Sequence, residues 1–162
     1  MRDSQRVSVL FVCLGNICRS PTADAVLGRK AGMLGLQSRL LVDSAGTGGW
    51  HVGQPPDPRA QHHAARRGYD LSPLRARQVA VEDFHRFDFI LAMDRNNLAD
   101  LERMRPHGHA GELDLFLRYG SGSRGLEVPD PYYGGEQGFE EVLDLIEEAA
   151  DGLLAHIRRT RL

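Results

Sequence analysis

The sequence predicts a single-domain α/β fold in which a four-stranded parallel sheet carries helices on both faces. Short apolar segments alternate with helical ones along the chain, which is the pattern of a parallel sheet with crossover helices. The first apolar segment, residues 7–12, is nearly continuous and rich in valine, as expected for a strand buried on both faces. The length of 162 residues fits one domain, so residues 1–162 are expected to share a single core.

Two strands and two helices are predicted in the first half of the chain. Ser20 and Pro21 suit the cap and the first turn of a helix over residues 22–34, whose apolar side includes Val26 and Leu27. The elements that follow are a second strand over residues 40–42 that ends at residues 44–46, an irregular loop over residues 46–58, and a helix over residues 59–67 closed by Gly68. Loops as long as this one usually carry function.

The second half of the chain continues the alternation. A third strand is predicted over residues 87–93, and Asp94 is placed to cap a helix that carries Leu98, Leu101 and Met104. A fourth strand is predicted over residues 113–117, with loops over residues 120–125 and 129–135. The final helix is the clearest element, because apolar residues recur on one side of it at helical spacing. They are Phe139, Val142, Leu143, Ile146, Ala149, Ala150, Leu153, Leu154 and Ile157.

Composition and charge exclude several classes of protein. Hydrophobic residues make up 41% of the chain and charged residues 26%, values of a globular protein rather than a disordered, collagen-like or coiled-coil chain. The formal net charge of −2 favours neither nucleic acid nor an anionic membrane as a partner. Residues 7–12 form the longest apolar run, far short of the ~20 residues of a membrane helix. Because the N-terminus lacks the apolar core of a signal peptide, we expect a cytoplasmic protein.

The cysteine and histidine content points away from metal sites and disulfide scaffolds. Two cysteines, five positions apart, are too few for a disulfide framework or a four-cysteine zinc site, and in a cytosolic chain they indicate chemistry or burial. The seven histidines form no convincing set of ligands. Four of them are interpreted as surface residues: His62, His63, His107 and His109. No metal and no other cofactor is expected.

The loop after the first strand has the composition of a phosphate-binding site. Ligands of parallel sheets sit beyond the carboxyl ends of the strands, which is where residues 13–21 lie. Backbone N–H groups there lead into the positive end of a helix, and Gly15 and Asn16 tolerate the left-handed backbone that turns such groups inward. Arg19 adds a planar guanidinium that matches two phosphate oxygens. The residues expected to bind the substrate here are Leu14, Gly15, Asn16, Ile17, Cys18 and Ser20.

Cys13 lies at the end of the first strand and points into the same loop. The helix terminus and Arg19 both stabilise a thiolate, and the Ser20 hydroxyl can donate a further hydrogen bond to the sulfur. A thiolate at the base of a phosphate-binding loop is a nucleophile directed at phosphorus. The alternative is structural, with Cys13 a buried strand end and Arg19 a solvated helix start.

These residues carry a resemblance to a known family. Residues 11–21, with the sequence Phe-Val-Cys-Leu-Gly-Asn-Ile-Cys-Arg-Ser-Pro, resemble the phosphate-binding loop of the low-molecular-weight protein tyrosine phosphatases. Further segments resemble that family in the right order: residues 43–53, 76–78, 93–94 and 130–134. The resemblance covers nearly the whole chain and implies a flavodoxin-like, doubly wound sheet with the phosphate loop after the first strand. It also implies a metal-independent phosphatase that hydrolyses phosphotyrosine in proteins, and small aryl phosphates, through a phosphocysteine on Cys13, with Arg19 binding the phosphoryl group.

The resemblance assigns roles outside this loop as well. Asp130 resembles the general acid, which protonates the leaving phenol oxygen and then activates water. The alternative for Asp130 is an ordinary turn, since Asp-Pro pairs are common in turns. Trp50, Tyr132 and Tyr133 are similar to the aromatic residues that line the entrance of the pocket in the family.

Other positions bear on how the loop is held and protected. Asn16, Ser20 and Ser44 are expected to brace it by hydrogen bonds. Relatives often carry a histidine bonded to the loop asparagine where this chain has Leu74, so the bracing bond is expected to come from Ser44 or from water. By the resemblance, Cys18 forms a reversible disulfide with the nucleophile after oxidation, and its alternative role is that of a small buried hydrophobic residue.

Two other functions stay open. An arsenate reductase of the same fold shares a similar cysteine-arginine loop, but it passes oxidation to further cysteines, and this chain has none beyond Cys18. A non-catalytic phosphotyrosine-binding module would lack the nucleophile or the acid, and both are present. The expected partner is a tyrosine-phosphorylated protein, such as a cognate bacterial tyrosine kinase, and the chain is expected to be a monomer.

Overall fold

The structure is a computed structural model that describes residues 6–132 and 134–162, so Tyr133 lies outside the described residues. Its strands are β1 (Val7–Cys13), β2 (Leu40–Gly46), β3 (Phe89–Ala92) and β4 (Glu112–Leu115). They form one parallel sheet in the order β2-β1-β3-β4. Because β2 and β3 lie on opposite sides of β1, the crevice at the carboxyl ends of β1 and β3 is the switch point where such sheets bind ligands.

The helices cover both faces of this sheet. They are α1 (Arg19–Met33), α2 (Pro58–Arg66), α3 (Asp83–Arg86), α4 (Arg95–Met104) and α5 (Glu136–Thr160), with a 3₁₀ turn over Phe116–Tyr119 after β4. Within the described ranges, none of the helices is long and apolar enough to cross a membrane.

The side chains of β1 alternate between two layers of core. Val9 and Phe11 pack with α1 and α5 on one face, whereas Leu10 and Val12 pack with α3 and α4 on the other. Every residue of β1 is buried, as expected for a central parallel strand. The prediction of a parallel sheet with helices on both faces, and with a loop that leads from the first strand into a helix, is confirmed.

The prediction that Ser20 caps the first helix is wrong. Helix α1 begins at Arg19, so Ser20 lies within its first turn, and the cap position is Cys18, whose side chain makes no capping hydrogen bond. The physical reason is that the Ser20 hydroxyl serves another partner, because its Oγ lies 3.0 Å from Cys13 Sγ.

Several other boundaries differ from the predicted ones. Strand β3 is shorter than residues 87–93, and residues 116–117 leave β4 for the 3₁₀ turn. Helix α3 was not predicted, because a single turn is too short to show a helical period. Asp94 caps α4 as predicted, since its carboxylate accepts a hydrogen bond from the Asn97 backbone N–H at 2.8 Å.

The interpretation of the histidines is partly wrong. Two of the four are exposed (His62, His107) and two are not (His63, His109). His63 is 3% exposed, stacks on Phe139 of α5 with ring centroids 5.6 Å apart, and hydrogen-bonds through Nδ1 to Glu140. It follows Ala60 by three positions and precedes Ala64, which places it on the buried side of α2.

A glycine in α5 allows a backbone carbonyl to approach the helix closely. A Cβ atom at Gly152 would lie 1.7 Å from the carbonyl oxygen of Tyr119, where the 3₁₀ turn meets α5. A backbone oxygen cannot swing aside as the end of a flexible side chain would. At Gly28 of α1, by contrast, a Cβ atom would meet no atom within 4 Å.

Alanine at these two positions should change stability in opposite directions. Alanine is favoured over glycine inside helices by about 0.5–1 kcal/mol, so Gly28→Ala should raise the free energy of unfolding by about that amount. Gly152→Ala should lower it by about 1–3 kcal/mol, because the 3₁₀ turn must move to admit the methyl group. Urea unfolding of both variants measures the difference, and a stabilised Gly152→Ala would contradict the close packing.

Candidate active site

The loop between β1 and α1 closes around the sulfur of Cys13. Cys13 is the last residue of β1, is 3% exposed, and pairs in register with Gly46 of β2. The backbone N–H of Asn16 donates to Cys13 Sγ at 3.2 Å. Asn16 has a φ of +57°, so of the two residues expected to allow a left-handed turn it is Asn16, and not Gly15, that makes it.

The side chain of Asn16 ties the loop to three other parts of the fold. Its Nδ2 donates to Ser20 Oγ at 2.8 Å and to Ser44 Oγ at 3.0 Å, and its Oδ1 accepts from the Arg77 backbone N–H at 2.9 Å. Leu74, at the position where relatives often carry a histidine, packs against the core instead. The asparagine is therefore held by Ser44 and Ser20 and by the backbone of Arg77.

The Ser20 hydroxyl has one proton and several partners. It accepts from Asn16, lies 3.0 Å from Cys13 Sγ, and lies 3.3 Å from the carbonyl oxygen of Ala45. When Cys13 is a thiol, its S–H can donate to Ser20, whose own proton then turns to the carbonyl. When the sulfur is a thiolate, the Ser20 proton turns to the sulfur. Ser20 can therefore follow the charge on the sulfur without moving its oxygen.

Arg19 is buried beside the loop and remains charged. Its guanidinium is 3% exposed, and Nη1 donates to Asp94 Oδ2 at 2.6 Å and to the Val128 carbonyl at 3.0 Å. Burial alone would lower the pKa of Arg19, but the negative charge of Cys13 and the hydrogen bond to Asp94 hold that pKa above its usual value. Because Asp94 also caps α4, the arginine is oriented by a residue just beyond β3.

Asp130 faces the same pocket from the loop that precedes α5. One carboxylate oxygen accepts from the Tyr132 backbone N–H at 3.0 Å. The other lies 3.6 Å from Arg19 Nη2, close enough for electrostatic attraction but too far for a short hydrogen bond. The Asp130 side chain is 38% exposed, so its carboxylate is accessible both to a bound molecule and to water.

These groups surround a cavity of about 410 Å³. The cavity is lined by Cys13, Leu14, Gly15, Ile17, Cys18, Arg19, Trp50, His51, Asp130 and Tyr132. Asn16, Ser20 and Ser44 are buried behind the lining residues and hold them. Tyr133, expected as a third aromatic residue of the entrance, lies outside the described residues. In the parts of the chain that the structure describes, no group of three or more His, Cys, Asp or Glu side chains is arranged to hold a metal ion.

Aromatic and imidazole rings form the rim of the cavity. Trp50 and Tyr132 are 69% and 38% exposed. The Trp50 ring lies against Gly48, where a Cβ atom would be 1.8 Å from a ring carbon. His51, which the sequence did not single out, completes the rim next to Gly15, and its Nδ1 is hydrogen-bonded with the Gln54 side-chain oxygen at 2.9 Å.

Sequence reasoning missed three residues that fix the site. Asp94 was predicted only as a helix cap, although it also binds the catalytic candidate Arg19. Gly46 allows the loop to approach β2, since a Cβ atom there would lie 2.7 Å from the carbonyl oxygen of Leu14. Arg77 holds the loop through its backbone. Two signals were available: all three residues lie in segments that resemble the family, and Gly46 and Asp94 stand at the carboxyl ends of predicted strands, at the same edge as Cys13.

Cys18 lies in a different electrostatic environment from Cys13. Both cysteines are free and buried. Burial, and next the negative charge of Asp57, raise the pKa of the Cys18 thiol well above its usual value. Cys13 is close to two hydrogen-bond donors, whereas Cys18 is close to an acid and stays a neutral thiol.

Comparisons of the sequence and of the structure with known proteins point to the same family. Residues 8–162 match the family model described as low molecular weight phosphotyrosine protein phosphatase. The low molecular weight protein-tyrosine-phosphatase of Streptomyces coelicolor is 46% identical over 153 residues, which cover 93% of each chain. The crystal structure of YfkJ from Bacillus subtilis has a TM-score of 0.91 at 42% identity and covers 97% of this chain and 98% of that one. The crystal structure of a Drosophila arginine phosphatase has a TM-score of 0.87 at 34% identity and covers 93% of this chain and 97% of that one.

A pair of carboxylates lies behind the phosphate loop. Asp24 of α1 is hydrogen-bonded with Ser44, whose hydroxyl also accepts from Asn16, and it faces Asp43. Burial, and next the negative charge of Asp43, raise the pKa of Asp24 to about 7, while the hydrogen bond with Ser44 lowers it. Asp43 has a cationic partner in Arg77 at 3.1 Å. Asp24 therefore titrates near neutral pH.

Asp24→Asn should stabilise the protein at pH 8 and change its stability little at pH 4. In the unfolded chain Asp24 ionises near pH ~3.9, but in the folded protein it ionises only near pH 7. Ionisation of Asp24 therefore lowers the free energy of unfolding. This loss is zero below the pKa of Asp24 in the unfolded chain, grows between the two pKa values, and reaches its full size above the pKa in the folded protein. Since one pKa unit is about 1.4 kcal/mol and Asp24 is partly solvated, we expect a gain of about 1–3 kcal/mol at pH 8 in urea unfolding.

Asp70→Asn is the matched control for this prediction. Hydrogen bonds from Ser72 hold the pKa of the exposed Asp70 below its usual value, which is the opposite direction. That variant should not gain stability at pH 8. An equal effect of Asp24→Asn at both pH values would contradict the raised pKa.

Proposed function

The chain belongs to the low molecular weight phosphotyrosine protein phosphatase family, and we propose that it hydrolyses phosphotyrosine in proteins, and small aryl phosphates, through a phosphocysteine on Cys13. The observation that carries the proposal is the convergence of three groups on one cavity: the sulfur of Cys13, the fixed guanidinium of Arg19 and the accessible carboxylate of Asp130. Residues 1–162 form the single catalytic domain in this proposal.

In the first step the Cys13 thiolate attacks phosphorus. The Asn16 N–H and the Ser20 hydroxyl lie within hydrogen-bond distance of the sulfur and favour its negative form. The sulfur–phosphorus bond forms as the bond from phosphorus to the aryl oxygen breaks, and the electron pair leaves with that oxygen. Asp130 donates its proton to the oxygen, so that a phenol departs rather than a phenolate.

In the second step water hydrolyses the phosphocysteine. Asp130, now a carboxylate, accepts a proton from the attacking water, and its exposure to solvent allows water to reach it. A new oxygen–phosphorus bond forms, the phosphorus–sulfur bond breaks, and the electron pair returns to Cys13 as the thiolate. Inorganic phosphate leaves.

Arg19 acts in both steps by binding equatorial oxygens of the phosphoryl group. Asp94 and the Val128 carbonyl hold its Nη1, so the guanidinium plane is oriented before substrate arrives. Preorganised donors stabilise transition-state charge without a cost of reorientation. Together with the N–H groups of the loop, the guanidinium neutralises the phosphoryl charge, and this scheme requires no metal ion or other cofactor.

The walls of the cavity favour an aryl group as the substituent on phosphorus. Leu14, Ile17, Trp50 and Tyr132 offer apolar or aromatic surfaces that suit a phenyl ring. A phosphoarginine would instead place a guanidinium there, which needs hydrogen-bond acceptors. Among the described lining residues Asp130 is the one carboxylate, and this proposal assigns it to the leaving oxygen, so none of these residues offers a second carboxylate for a guanidinium. We therefore assign phosphotyrosine, and not the phosphoarginine suggested by the name of the Drosophila relative.

The proposed setting is the cytoplasm. A reducing compartment would keep Cys13 and its neighbour Cys18 as thiols, the form that the proposed mechanism needs. The described lining residues of the pocket all come from one chain, and we propose that the protein is a monomer. The proposed partner is a tyrosine-phosphorylated protein, including a cognate bacterial tyrosine kinase, and bacterial phosphatases are among the similar proteins.

Cys18 is proposed to protect the nucleophile from oxidation. Peroxide converts the Cys13 thiolate to a sulfenic acid, whose sulfur is then attacked by Cys18, so that a disulfide forms and water leaves. Because the raised pKa of Cys18 leaves little thiolate at neutral pH, this second reaction is slow there and accelerates as the pH rises.

Release of phosphate by two active-site variants tests the mechanism. Cys13→Ser should show no turnover, because a serine hydroxyl is not ionised at neutral pH. Asp130→Asn should lower kcat/KM by roughly 10²–10³ for a phosphotyrosine peptide, whose phenol is a poor leaving group, and far less for 2,4-dinitrophenyl phosphate. Steady-state assays with both substrates measure the two effects.

Controls in the same assays separate the rival functions. Asp70→Asn removes an exposed carboxylate outside the cavity and should retain wild-type activity. A phosphoarginine peptide should be hydrolysed poorly, and arsenate should not be reduced in the presence of thioredoxin. Full activity of Cys13→Ser, or a preference for phosphoarginine, would contradict the proposal.

The protective role of Cys18 predicts a difference in recovery from peroxide. Wild-type protein should regain its activity when a dithiol is added after inactivation, and the recovered fraction should be larger when the peroxide step is run at pH 8 than at pH 6.5. Cys18→Ala should recover little, because its sulfenic acid is oxidised further. Equal recovery of wild type and Cys18→Ala would show that Cys18 has no protective role.

A further inference from the structure

Arg59 lies outside the groups assigned to the chemistry, yet it is held in a fixed geometry beside them. It lies two positions after Asp57, the buried N-cap residue of α2. The Asp57 carboxylate accepts a hydrogen bond from the Arg59 backbone N–H at 2.8 Å. Arg59 Nε donates to one oxygen of the same carboxylate at 3.1 Å, and Nη2 donates to the other oxygen at 2.9 Å. A two-point arginine–carboxylate pair fixes the guanidinium plane as well as its position.

One end of this pair is attached to the phosphate loop. The backbone N–H of Asp57 donates to the carbonyl oxygen of Ile17 at 2.8 Å. Ile17 lies between Asn16, which contacts the nucleophile, and Cys18, the cap position of α1. The location of the Arg59 guanidinium is therefore set relative to the phosphate loop.

The other end is attached to the loop that carries Asp130. Arg59 Nη2 donates to the carbonyl oxygen of Tyr132 at 3.0 Å, and the guanidinium carbon lies 5.5 Å from the Tyr132 ring centroid and 4.9 Å from that of Phe139 in α5. The N–H of the same Tyr132 donates to Asp130 Oδ1 at 3.0 Å. The main chain of Tyr132 thus binds the acid through its N–H and Arg59 through its carbonyl.

We propose that Arg59 is a positioning residue that fastens the Asp130 loop to the phosphate loop and so sets the place from which Asp130 donates its proton. The proposal rests on the proposed function, because it concerns the general acid of that reaction. Asp130 needs such support, since its 3.6 Å separation from Arg19 does not fix it by itself. Asp57 is the buried partner of this ion pair, and its carboxylate keeps the hydrogen bond from the backbone N–H of residue 59 when the guanidinium is removed. We therefore expect the main effect of Arg59 to be on geometry, on which proton transfer depends steeply.

A positioning role can be distinguished from a structural one by the leaving group. A poorly placed acid slows substrates that need a proton on the departing oxygen and spares those whose oxygen leaves as a stable anion. The phenol of tyrosine has a pKa of ~10, so it depends on the acid. The quantity to compare is kcat/KM, because it reports the steps up to the departure of the phenol.

Arg59→Met is the informative variant. Methionine keeps an apolar stem beside Tyr132 and Phe139, but it removes the hydrogen bonds that the guanidinium donates to Asp57 and to the Tyr132 carbonyl. We expect kcat/KM to fall about tenfold for a phosphotyrosine peptide and less than about twofold for 2,4-dinitrophenyl phosphate, part of the factor of roughly 10²–10⁴ that general acids provide. Arg66→Met, at an exposed position of the same helix, is the matched control and should leave both values unchanged.

Combination with Asp130→Asn completes the test. If Arg59 acts through Asp130, Arg59→Met should lower kcat/KM by less than about twofold in that background. A loss of equal size for both substrates, no loss at all, or a full tenfold loss in the Asp130→Asn background would each overturn the inference. Should Arg59→Met fail to fold in a thermal unfolding assay, Arg59→Lys keeps the charge but cannot bridge Asp57 and Tyr132 in the same way, and the same comparisons decide.

The inference and the proposed function fail differently. If Asp130→Asn shows the leaving-group dependence and Arg59→Met does not, only the role of Arg59 is overturned. If Asp130→Asn itself shows no such dependence, the assignment of the general acid is overturned and the role of Arg59 falls with it.

Discussion

The reactive geometry depends on the conformation of Asn16. A left-handed backbone at a residue other than glycine costs at most about 1–2 kcal/mol, and Asn16 adopts it in a buried position. Three hydrogen bonds of its side chain, each contributing about 0.5–1.5 kcal/mol, offset that cost. They reach α1, β2 and the segment at Arg77, so the turn that aims an N–H at Cys13 Sγ is supported from three directions. A residue without both a donor and an acceptor could not make this set.

The electrostatics of the site follow from the order of the strands. Burial of an unpaired guanidinium is unfavourable, so Arg19 requires a negative partner before any substrate arrives. Asp94 supplies it from the end of β3, which neighbours β1 because the strand order reverses there. The same carboxylate starts α4, and one residue therefore sets the helix position and the arginine orientation together. In the proposed reaction the phosphoryl group brings its charge to a cation that is already in place.

Contacts within the site could be predicted from the sequence only where the two residues lie close together in the chain. Cys13 and Arg19 could be placed together because they share one short loop between a predicted strand and a predicted helix. The contacts of Asp94, Gly46 and Arg77 with that loop join distant segments, and no local pattern shows which distant segment a loop will meet. Tyr132 and Asp130 were reached only through the family resemblance, because Asp-Pro-Tyr by itself is an ordinary turn.

The errors of prediction also have physical explanations. Ser20 has the chemistry of a helix cap, and only the position of the sulfur shows that its hydroxyl is used otherwise. His63 was read by residue type as a surface residue, although its spacing from Ala60 and Ala64 marks the buried side of α2. In both cases a tertiary contact overrode a local preference. The sequence showed that Leu74 replaces the histidine of many relatives. It did not show that the backbone N–H of Arg77 hydrogen-bonds to Asn16, since every residue but proline offers such a group.

Burial separates the chemistry of this site from its recognition of substrate. Cys13, Asn16 and Arg19 are at most 3% exposed and are held by the sheet, whereas Trp50 and Tyr132 stand on loops at the rim. Asp130, the proposed general acid, fits neither group. It must meet the leaving oxygen and then a water molecule, so it cannot be buried, yet proton transfer requires it to be placed as accurately as the buried groups. An exposed carboxylate acquires that accuracy only from contacts made around its own loop. The Tyr132 peptide and Arg59 supply such contacts, which is why a residue remote from phosphorus bears on the chemistry there.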